Sequence, residues 1–304
     1  MEYYFFKLDK VSHYQIADLE RLTGVKSHTI RIWEKRYGII NPHRTPTNIR
    51  YYDDVQAKKL LKISTLLESG LKISKIADLS DKELNSKIGE AQKSNNEDII
   101  STGFINELVS AMLGFDETEF NRTFSNTVVK LGVFQAMLRV FYPFLRKTGV
   151  MWSMAEAMPI QEHFATSIIR KKLISAIDGL PIPTKKGKKF VLFLPPDEWH
   201  ETGLLFSEYI IRSNGYQTVY LGQNVPLENL KEVVASTKPT HLFTIYITRR
   251  GQQQVQSEIK YLAKTYPSLK LFISASSLVK NSILWAKNTL LLEEPNDLLK
   301  ALKS

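Results

Sequence analysis

Two short helices joined by a glycine turn are encoded by residues 16–37, which read IADLERLTGVKSHTIRIWEKRY. Apolar residues at helical spacing predict a first helix over residues 15–22, and Gly24 can take the left-handed conformation that ends it. Ser27 can cap a second helix that runs to Tyr37. The apolar face of this helix consists of Ile30, Trp33 and Tyr37. A helix with one apolar face and one basic face is typical of a helix that enters the DNA major groove.

A hairpin and a third helix are predicted to follow. Residues 44–53 are polar and contain Pro46 and Asn48, which favour a turn, and residues 55–67 have helical apolar spacing. On the second helix, the candidate contacts to DNA bases or phosphates are His28, Arg31, Lys35 and Arg36. Arg36 could equally interact with the backbone carbonyls at the end of the helix. The hairpin offers Arg44 and Arg50, and either Tyr51 or Tyr52 as a hydroxyl donor to phosphate.

Positive charge is concentrated in the same segment. The chain has 304 residues and a formal net charge of +10, and residues 1–75 hold 14 Lys and Arg against 8 Asp and Glu. A quarter of the chain therefore carries more than half of the surplus. Crowding of this kind is typical of a phosphate-binding surface, although a solvated charged face gives the same count.

Several classes of protein are excluded by composition. The chain has no cysteine, which excludes disulfides, thiolate nucleophiles and zinc sites built on Cys pairs. Residues 213–227 form its longest stretch without a charged side chain, and they contain Gly, Asn, Gln and Pro. We therefore expect no transmembrane helix and no membrane partner. The amino terminus lacks the order of a signal peptide, so the expected location is the cytoplasm.

Residues 13–79 resemble the winged-helix domain of MerR-type transcription regulators. The resemblance rests on the two helices quoted above and on Pro42-x-Arg44-x5-Arg50-Tyr51-Tyr52, which matches the wing of that family. Ile32-Trp33 stands where members commonly have an Arg-Tyr pair. The resemblance implies that residues 1–80 form a winged helix-turn-helix domain whose partner is double-stranded promoter DNA.

Polar and then helical sequence follows the winged helix. Residues 81–97 are mostly polar and predict a fading helix and a linker without a long coiled coil. Residues 98–180 keep helical apolar periodicity with few breakers, which predicts a four-helix bundle. Residues 181–189 are rich in Pro and Lys and predict a second linker.

The remaining segment, residues 190–304, alternates short apolar runs with helical stretches. The predicted buried strands cover residues 190–194, 218–221, 242–247, 269–273 and 289–292. This alternation predicts a flavodoxin-like, doubly wound parallel sheet, so the chain as a whole is multidomain α and α/β. Ligands in such sheets bind at the carboxyl ends of strands. The loop after the first strand contains Glu198-Trp199-His200, in which His200 can offer a nitrogen to a metal and Glu198 can bind the other nitrogen.

The bundle and the α/β segment together resemble cobalamin-binding regulators of the CarH/LitR type. The resemblance rests on Trp152-x9-Glu162-His163, on Glu198-x-His200-x-x-Gly203 and on Val219-Tyr220-Leu221-Gly222-x3-Pro226. It implies that His200 is the lower ligand of the cobalamin cobalt, with Glu198 and Gly203 beside it. It further implies that Trp152, Glu162 and His163 line the upper face of the corrin ring, beneath a helical cap.

Three positions depart from the family pattern. Thr244-Ile245-Tyr246 replaces a Ser-x-Leu or Ser-x-Thr segment, and Ser274-Ala275 replaces a Gly-Gly pair, so that side chains are expected to narrow the slot for the nucleotide tail. Ser153 stands where light-sensing members have a histidine after the cap tryptophan, which argues against a light response.

The leading hypothesis from sequence is a non-enzymatic repressor controlled by adenosylcobalamin or methylcobalamin. It would form a homo-oligomer, dimer or tetramer, through its carboxyl-terminal domains. A second hypothesis keeps DNA binding but assigns the sensor to oligomerisation or another ligand. A third hypothesis, a corrinoid methyl-transfer protein, is disfavoured by the DNA-binding segment. The sequence also contains no Gly-rich phosphate loop and no nucleophile elbow.

Overall fold

A computed structural model describes residues 14–91, 96–153, 159–247, 252–275 and 284–303; the side chains of residues 150–153, 159 and 252 lie outside the description. The chain forms two compact units, residues 1–166 and residues 167–304. The predicted fold class is confirmed, because a helix-turn-helix segment and further helices precede a parallel sheet with helices on its two faces.

The amino-terminal head (residues 14–79) has the predicted order of elements. They are α1 (Ile16–Thr23), α2 (Ser27–Tyr37), β1 (His43–Arg44), β2 (Arg50–Tyr51), α3 (Asp54–Glu68) and α4 (Ile73–Ile76). Gly24 has φ 75° and ends α1 as predicted. Leu19 and Leu22 of α1 are buried, as are Ile30 and Trp33 of α2, so the apolar face of each helix lies in the core of the head.

The cap of α2 differs from the predicted one. Ser27 is the first residue of the helix rather than its cap, and its backbone N–H (2.9 Å) and hydroxyl (2.7 Å) both donate to the Glu20 carboxylate of α1. Lys26 Nζ donates to the same carboxylate at 3.0 Å. These bonds lower the pKa of Glu20 to about 2. Glu20 therefore fixes α2 relative to α1, a contact across seven residues that a local capping rule does not detect.

Part of the predicted linker at residues 81–97 is an ordered helix. Helix α5 (Asp81–Ala91) buries Leu84 and Ile88, which are four residues apart and lie on one face. The side chain of Asn96 then caps the next helix by accepting from the backbone N–H of Asp98 at 3.0 Å. The predicted fading helix is therefore present, and two apolar side chains hold it in place.

Four helices follow as predicted, although one of them is broken. They are α6 (Glu97–Leu113), α7 (Glu117–Ala136), α8 (Tyr142–Ser153) and α9 (Pro159–Asp178), with a π-helical turn at Met137–Phe141. Gly132 has φ 72° and ψ 159°, a conformation that interrupts α7. Phe124 and Phe141 stack with ring centroids 4.3 Å apart, and Phe120 meets Phe144 edge to face. The helical core is thus largely aromatic.

Residues 117–149 together form a helical stretch that is long and apolar enough to cross a membrane, contrary to expectation. The sequence criterion missed it because charged residues interrupt the stretch. Gly132 breaks its helical backbone, and Phe120, Met137, Phe141 and Phe144 are buried within the bundle. A core helix of a water-soluble protein passes the same test of length and composition.

The head packs against the bundle through α3 and α6. At the centre of this contact Asn106 is buried, and its Nδ2 donates to Thr65 Oγ1 (2.9 Å) and to Ser64 Oγ (3.2 Å). Lys147 Nζ of α8 donates to Asn106 Oδ1 at 3.2 Å, and burial lowers the pKa of Lys147 to about 8. A buried polar network thus joins one helix of the head to two helices of the bundle.

The second unit contains a five-stranded parallel sheet. Its strands are β3 (Lys189–Phe193), β4 (Gln217–Gly222), β5 (His241–Tyr246), β6 (Lys270–Ala275) and β7 (Thr289–Leu292), in the spatial order β4-β3-β5-β6-β7. Between and after them run α10 (Glu201–Ser213), α11 (Leu230–Thr237), α12 (Gln252–Thr265) and α13 (Pro295–Lys303). The strand order is flavodoxin-like, and each predicted strand is present.

The carboxyl-terminal half of the second predicted linker, residues 181–189, is hydrogen-bonded to the second unit. The backbone N–H of Lys185 donates to the Gly215 carbonyl (3.0 Å), and Lys188 Nζ donates to the carbonyls of Ala301 (3.2 Å) and Leu302 (2.9 Å). Lys189 already belongs to β3. These lysines interact with the ends of neighbouring elements, so this part of the predicted linker is fixed to the unit.

Candidate nucleic-acid interface and ligand site

The outer surface of the head presents the predicted basic side chains. The exposed residues are His28, Arg31, Lys35 and Arg36 on α2, and Arg44 and Arg50 on the hairpin. Ile30 and Trp33 hold α2 from the opposite side, so its basic face points outward. Arg36 lies 5.3 Å above the Tyr37 ring and is thereby placed at the end of α2.

The hairpin orients Arg44 through a residue that sequence analysis did not select. Asn48 adopts φ 65° in the turn, and its Oδ1 accepts from Arg44 Nη1 at 2.6 Å. His43 bonds Asp53 through Nε2 at 3.0 Å and stacks on Tyr51 with a centroid distance of 5.2 Å. The available sequence signal for Asn48 was a turn-favouring asparagine four residues after Arg44.

The prediction that Tyr52 offers its hydroxyl to DNA is wrong. Tyr52 is buried and pairs with Tyr14 through two backbone bonds of 2.8 Å, and its hydroxyl donates to the Glu34 carboxylate of α2. Burial and this carboxylate raise the pKa of Tyr52, and the charges of Arg50 and Arg31 act in the opposite direction. Tyr52 therefore joins the hairpin to α2 through Glu34, and the guanidinium groups of Arg31 and Arg50 lie near this contact. The half-buried Tyr51 remains as the candidate hydroxyl donor.

In the second unit, the loop after β3 lies where the strand order reverses. β4 lies on one side of β3 and β5 on the other, and ligands of doubly wound sheets bind in this crevice. The backbone N–H of Asp197 donates to Asn224 Oδ1 (2.9 Å), and Gln223 Nε2 donates to the Trp199 carbonyl (2.7 Å). The loop after β4 thus supports the loop after β3. Sequence analysis missed these two supporting side chains, although both follow Gly222 in the selected motif.

Glu198 fixes the orientation of His200, as predicted from their spacing. The carboxylate of Glu198 is buried and accepts the backbone N–H groups of Trp199 (3.1 Å) and Ile247 (2.8 Å). Its Oε1 lies 2.6 Å from His200 Nδ1. A metal bond to this imidazole would therefore use Nε2. The His200 side chain is 56% exposed and that of Glu198 is 0% exposed, so the imidazole faces solvent while the carboxylate that holds it is buried.

Two of the three departures from the family pattern lie on β5 and β6; the side chain of the third, Ser153 in α8, lies outside the described residues. Tyr246 does not protrude into a slot: it is buried in the apolar cluster that faces α11 and α12. Thr244 is also buried, and its hydroxyl has no hydrogen-bond partner within the described part of the chain. Ser274 is half-buried on β6. A Cβ at Gly203 would lie 3.1 Å from Ile245 Cδ1, so the glycine lets α10 approach β5 closely.

The predicted cap residues lie in the other unit. Glu162 is half-buried and His163 exposed in the first turn of α9, where the Thr166 hydroxyl donates to the Glu162 carbonyl at 2.8 Å. The backbone of Trp152 is in α8, and its side chain lies outside the described residues. Their contribution to a cap stays a prediction.

Comparison with known proteins identifies the head. Residues 14–83 match the model of the MerR HTH family regulatory protein. This segment is a MerR-type helix-turn-helix domain. Over 84% of the chain and 85% of the relative, the sequence is 26% identical to the HTH-type transcriptional repressor CarH of Myxococcus xanthus. It is 24% identical to the repressor CarA of the same organism, over 81% of each chain. Both relatives are transcriptional repressors and not enzymes.

About two thirds of the chain has the fold of a solved corrinoid protein. The monomethylamine corrinoid protein of Methanosarcina barkeri superposes with a TM-score of 0.50 over 66% of this chain and 96% of its own, at 15% identity. At that identity the likeness concerns the fold alone. The chain thus combines a MerR-type head with a cobalamin-binding-like domain and is related to CarH and CarA.

Proposed function

We propose that this protein is a cytoplasmic repressor whose binding to promoter DNA is controlled by a cobalamin. The observation that carries the proposal is the anchored His200 imidazole at the switch point of the sheet, held by the buried Glu198 carboxylate. A histidine whose second nitrogen bonds a carboxylate is the usual form of an imidazole metal ligand. The relation to two transcriptional repressors over most of the chain supports the regulatory part.

The residues of this crevice fit the expected cofactor. His200 would bind cobalt through Nε2, and Glu198 would hold the ring and increase its basicity. The buried Thr244 hydroxyl could donate to a nitrogen or oxygen of the nucleotide tail, a partner it does not have within the described residues. Trp152, Glu162 and His163 would line the upper face. When bound, adenosylcobalamin or methylcobalamin supplies a cobalt centre whose upper ligand can differ, and a sensor can respond to that difference.

Control of DNA binding would operate through the number of heads that act together. A homodimer or tetramer formed through the carboxyl-terminal domains would bring several heads to repeated half-sites. The second head then binds at the effective concentration set by the first, which increases the affinity without any new contact. Arg44 and Arg50 would grip phosphates while α2 reads the major groove.

The cofactor part is tested by a binding spectrum. The full chain is incubated with adenosylcobalamin, methylcobalamin or hydroxocobalamin and desalted, and we expect a retained corrinoid spectrum. His200→Ala should change the lower-ligand signature in that spectrum. The matched control is His43→Ala, which removes another imidazole that bonds a carboxylate, at 3.0 Å in the head. A colourless wild-type protein, or identical spectra for the two variants, would contradict the proposal.

A second function is favoured by Tyr246. Its ring occupies the apolar core at the end of β5, where the family pattern has a smaller residue. Because the Tyr246 ring fills this part of the core, the second unit would not need a cofactor for its packing and could serve as a constitutive oligomerisation module. A colourless protein that has the same oligomeric mass and DNA affinity with and without cobalamins would support this function.

A further inference from the structure

Lysine is the only charged residue type in the loops at the amino-terminal edge of the sheet. Residues 180–189, 214–217, 237–241, 266–270 and 285–289 lead into the five strands, and none of them is Asp or Glu. The carboxyl end of α12 reaches the same edge because the crossover returns the chain to the start of β6. The carboxyl end of α13 lies there as well, because Lys188 Nζ, just before β3, donates to the Ala301 and Leu302 carbonyls. We define the lysine edge as the exposed residues Lys186, Lys238, Lys264, Lys270, Lys287 and Lys303.

Strand pairing arranges this edge as a row. The Thr240 N–H donates to the Lys189 carbonyl (2.9 Å), and the Lys270 N–H donates to the Thr240 carbonyl (3.1 Å). The Leu271 N–H donates to the Asn288 carbonyl (2.8 Å), next to Lys287. Five strands spaced by about 4.8 Å span about 19 Å. This length corresponds to roughly five or six base pairs at about 3.4 Å each.

Structural duties account for only some of the lysines in these loops. Lys188 and Lys189 donate to carbonyls at the carboxyl ends of α13 and α11, where cations are favoured by the helix dipole. Lys185 lies 5.0 Å above the Tyr216 ring. The six members of the lysine edge, by contrast, make no ion pair or side-chain hydrogen bond within the described residues.

The positive field of this edge acts on the core beneath it. His241 is buried between Phe190 and Phe272 at the start of β5. Burial lowers its pKa to about 4, and the charges of Lys270 and Lys188 act in the same direction. Like charges gathered on one edge repel one another, so a polyanion that neutralises them would be attracted.

We propose that the lysine edge is a second DNA-binding surface, which contacts the phosphate backbone without reading sequence. Lysine ammonium groups are compact point charges suited to phosphates. Duplex DNA fits better than a single strand, because Tyr216 and Trp285, the aromatic residues of these loops outside the core, are half-buried and offer no stacking platform.

The test compares two double variants of the full chain on a mixed-sequence 60-base-pair duplex. Lys238→Gln with Lys270→Gln removes two charges from the edge. The control, Lys231→Gln with Lys260→Gln, removes two exposed charges from α11 and α12 of the same unit. Each phosphate contact contributes about 0.9 to the slope of log affinity against log salt. We expect the edge variant to have a slope shallower by up to about 1.8, and the control to keep the wild-type slope.

Equal slopes for the two variants, both folded by circular dichroism, would overturn the proposal. An edge variant that loses binding to vesicles of equimolar phosphatidylserine and phosphatidylcholine, with an unchanged DNA slope, would overturn it in favour of a membrane surface. Arg44→Ala with Arg50→Ala is measured in parallel as the variant of the head. If the head variant leaves DNA binding unchanged, the result contradicts DNA binding by the head and not DNA binding by the lysine edge. The two proposals are therefore tested separately.

Discussion

The polar contact between head and bundle makes a quantitative prediction for Asn106→Ala. Asn106 Nδ2 donates to Thr65 Oγ1 (2.9 Å) and to Ser64 Oγ (3.2 Å), which we count together as one neutral bond, and Oδ1 accepts from the charged Lys147 Nζ at 3.2 Å. A neutral buried bond contributes about 1 kcal/mol, and a bond to a charged group about 2 kcal/mol. The substitution should therefore lower the free energy of unfolding of residues 1–166 by about 3 kcal/mol.

Two measurements test this: thermal unfolding of the full chain, and native-state hydrogen exchange of the amides in α3 and α6. For a unit of about 150 residues, each kcal/mol shifts Tm by roughly 2–4 °C, so we expect a decrease of roughly 6–12 °C in the transition of this unit. Amide protection should fall first in α3 and α6, because their shared contact is lost. The transition of residues 167–304 should keep its Tm.

Asn121→Ala is the matched control. Its Nδ2 donates only to the Glu117 carbonyl (2.9 Å) on the outside of α7, among the bonds that the structure describes. We expect a change below about 0.5 kcal/mol, as for most surface substitutions. Equal destabilisation by the two alanine variants would refute the reasoning, because it would mean that the buried network contributes no more than an exposed bond.

Three further predictions concern stability and pH. The pKa of Lys147 is lowered to about 8 against an ordinary 10.5, so the unfolded chain binds this proton first; wild type should gain stability relative to Lys147→Met as pH rises from 8 to 10.5, measured by guanidinium unfolding. The pKa of His241 is lowered to about 4 from 6.5, so its contribution is present above pH 6.5 and lost as pH falls towards 4; His241→Gln should flatten this acid loss in urea unfolding. Tyr52→Phe should cost about 1–2 kcal/mol through loss of the Glu34 bond while leaving the salt slope of DNA binding unchanged, and a shallower slope would contradict the seating role.

The centre of the sheet could be predicted from sequence because its strands β3 and β5 are buried on both faces. Parallel strands covered by helices appear as short apolar runs, and the run predicted at residues 242–247 lies within one residue of β5. The position of the His200 loop then followed from topology, since a loop after the first strand of a doubly wound sheet lies at the carboxyl edge. The order of β3 between β4 and β5, which makes this loop a switch point, is a property of the fold class.

The errors came from contacts that join distant or alternating positions. Tyr51 and Tyr52 are adjacent, and in a two-residue strand the register alone decides which ring enters the core. Glu20 replaced Ser27 as the cap because the carboxylate reaches α2 from another helix. Asn106 carried no sequence signal at all, because its partners on α3 lie about 40 positions earlier in the chain.

The same contact bears on how a bundle could regulate the head. A head on a flexible tether could be swung by a ligand, but here α3 rests on α6 through apolar packing and a buried polar network. A ligand shifts an equilibrium only by its difference in affinity for the two states, and separating α3 from α6 would add to that requirement the loss of their apolar packing and of about 1 kcal/mol from the Asn106 bonds to α3. Changing the number of associated copies leaves this contact intact. The architecture therefore favours regulation by association over regulation by rotation of the head on its own bundle.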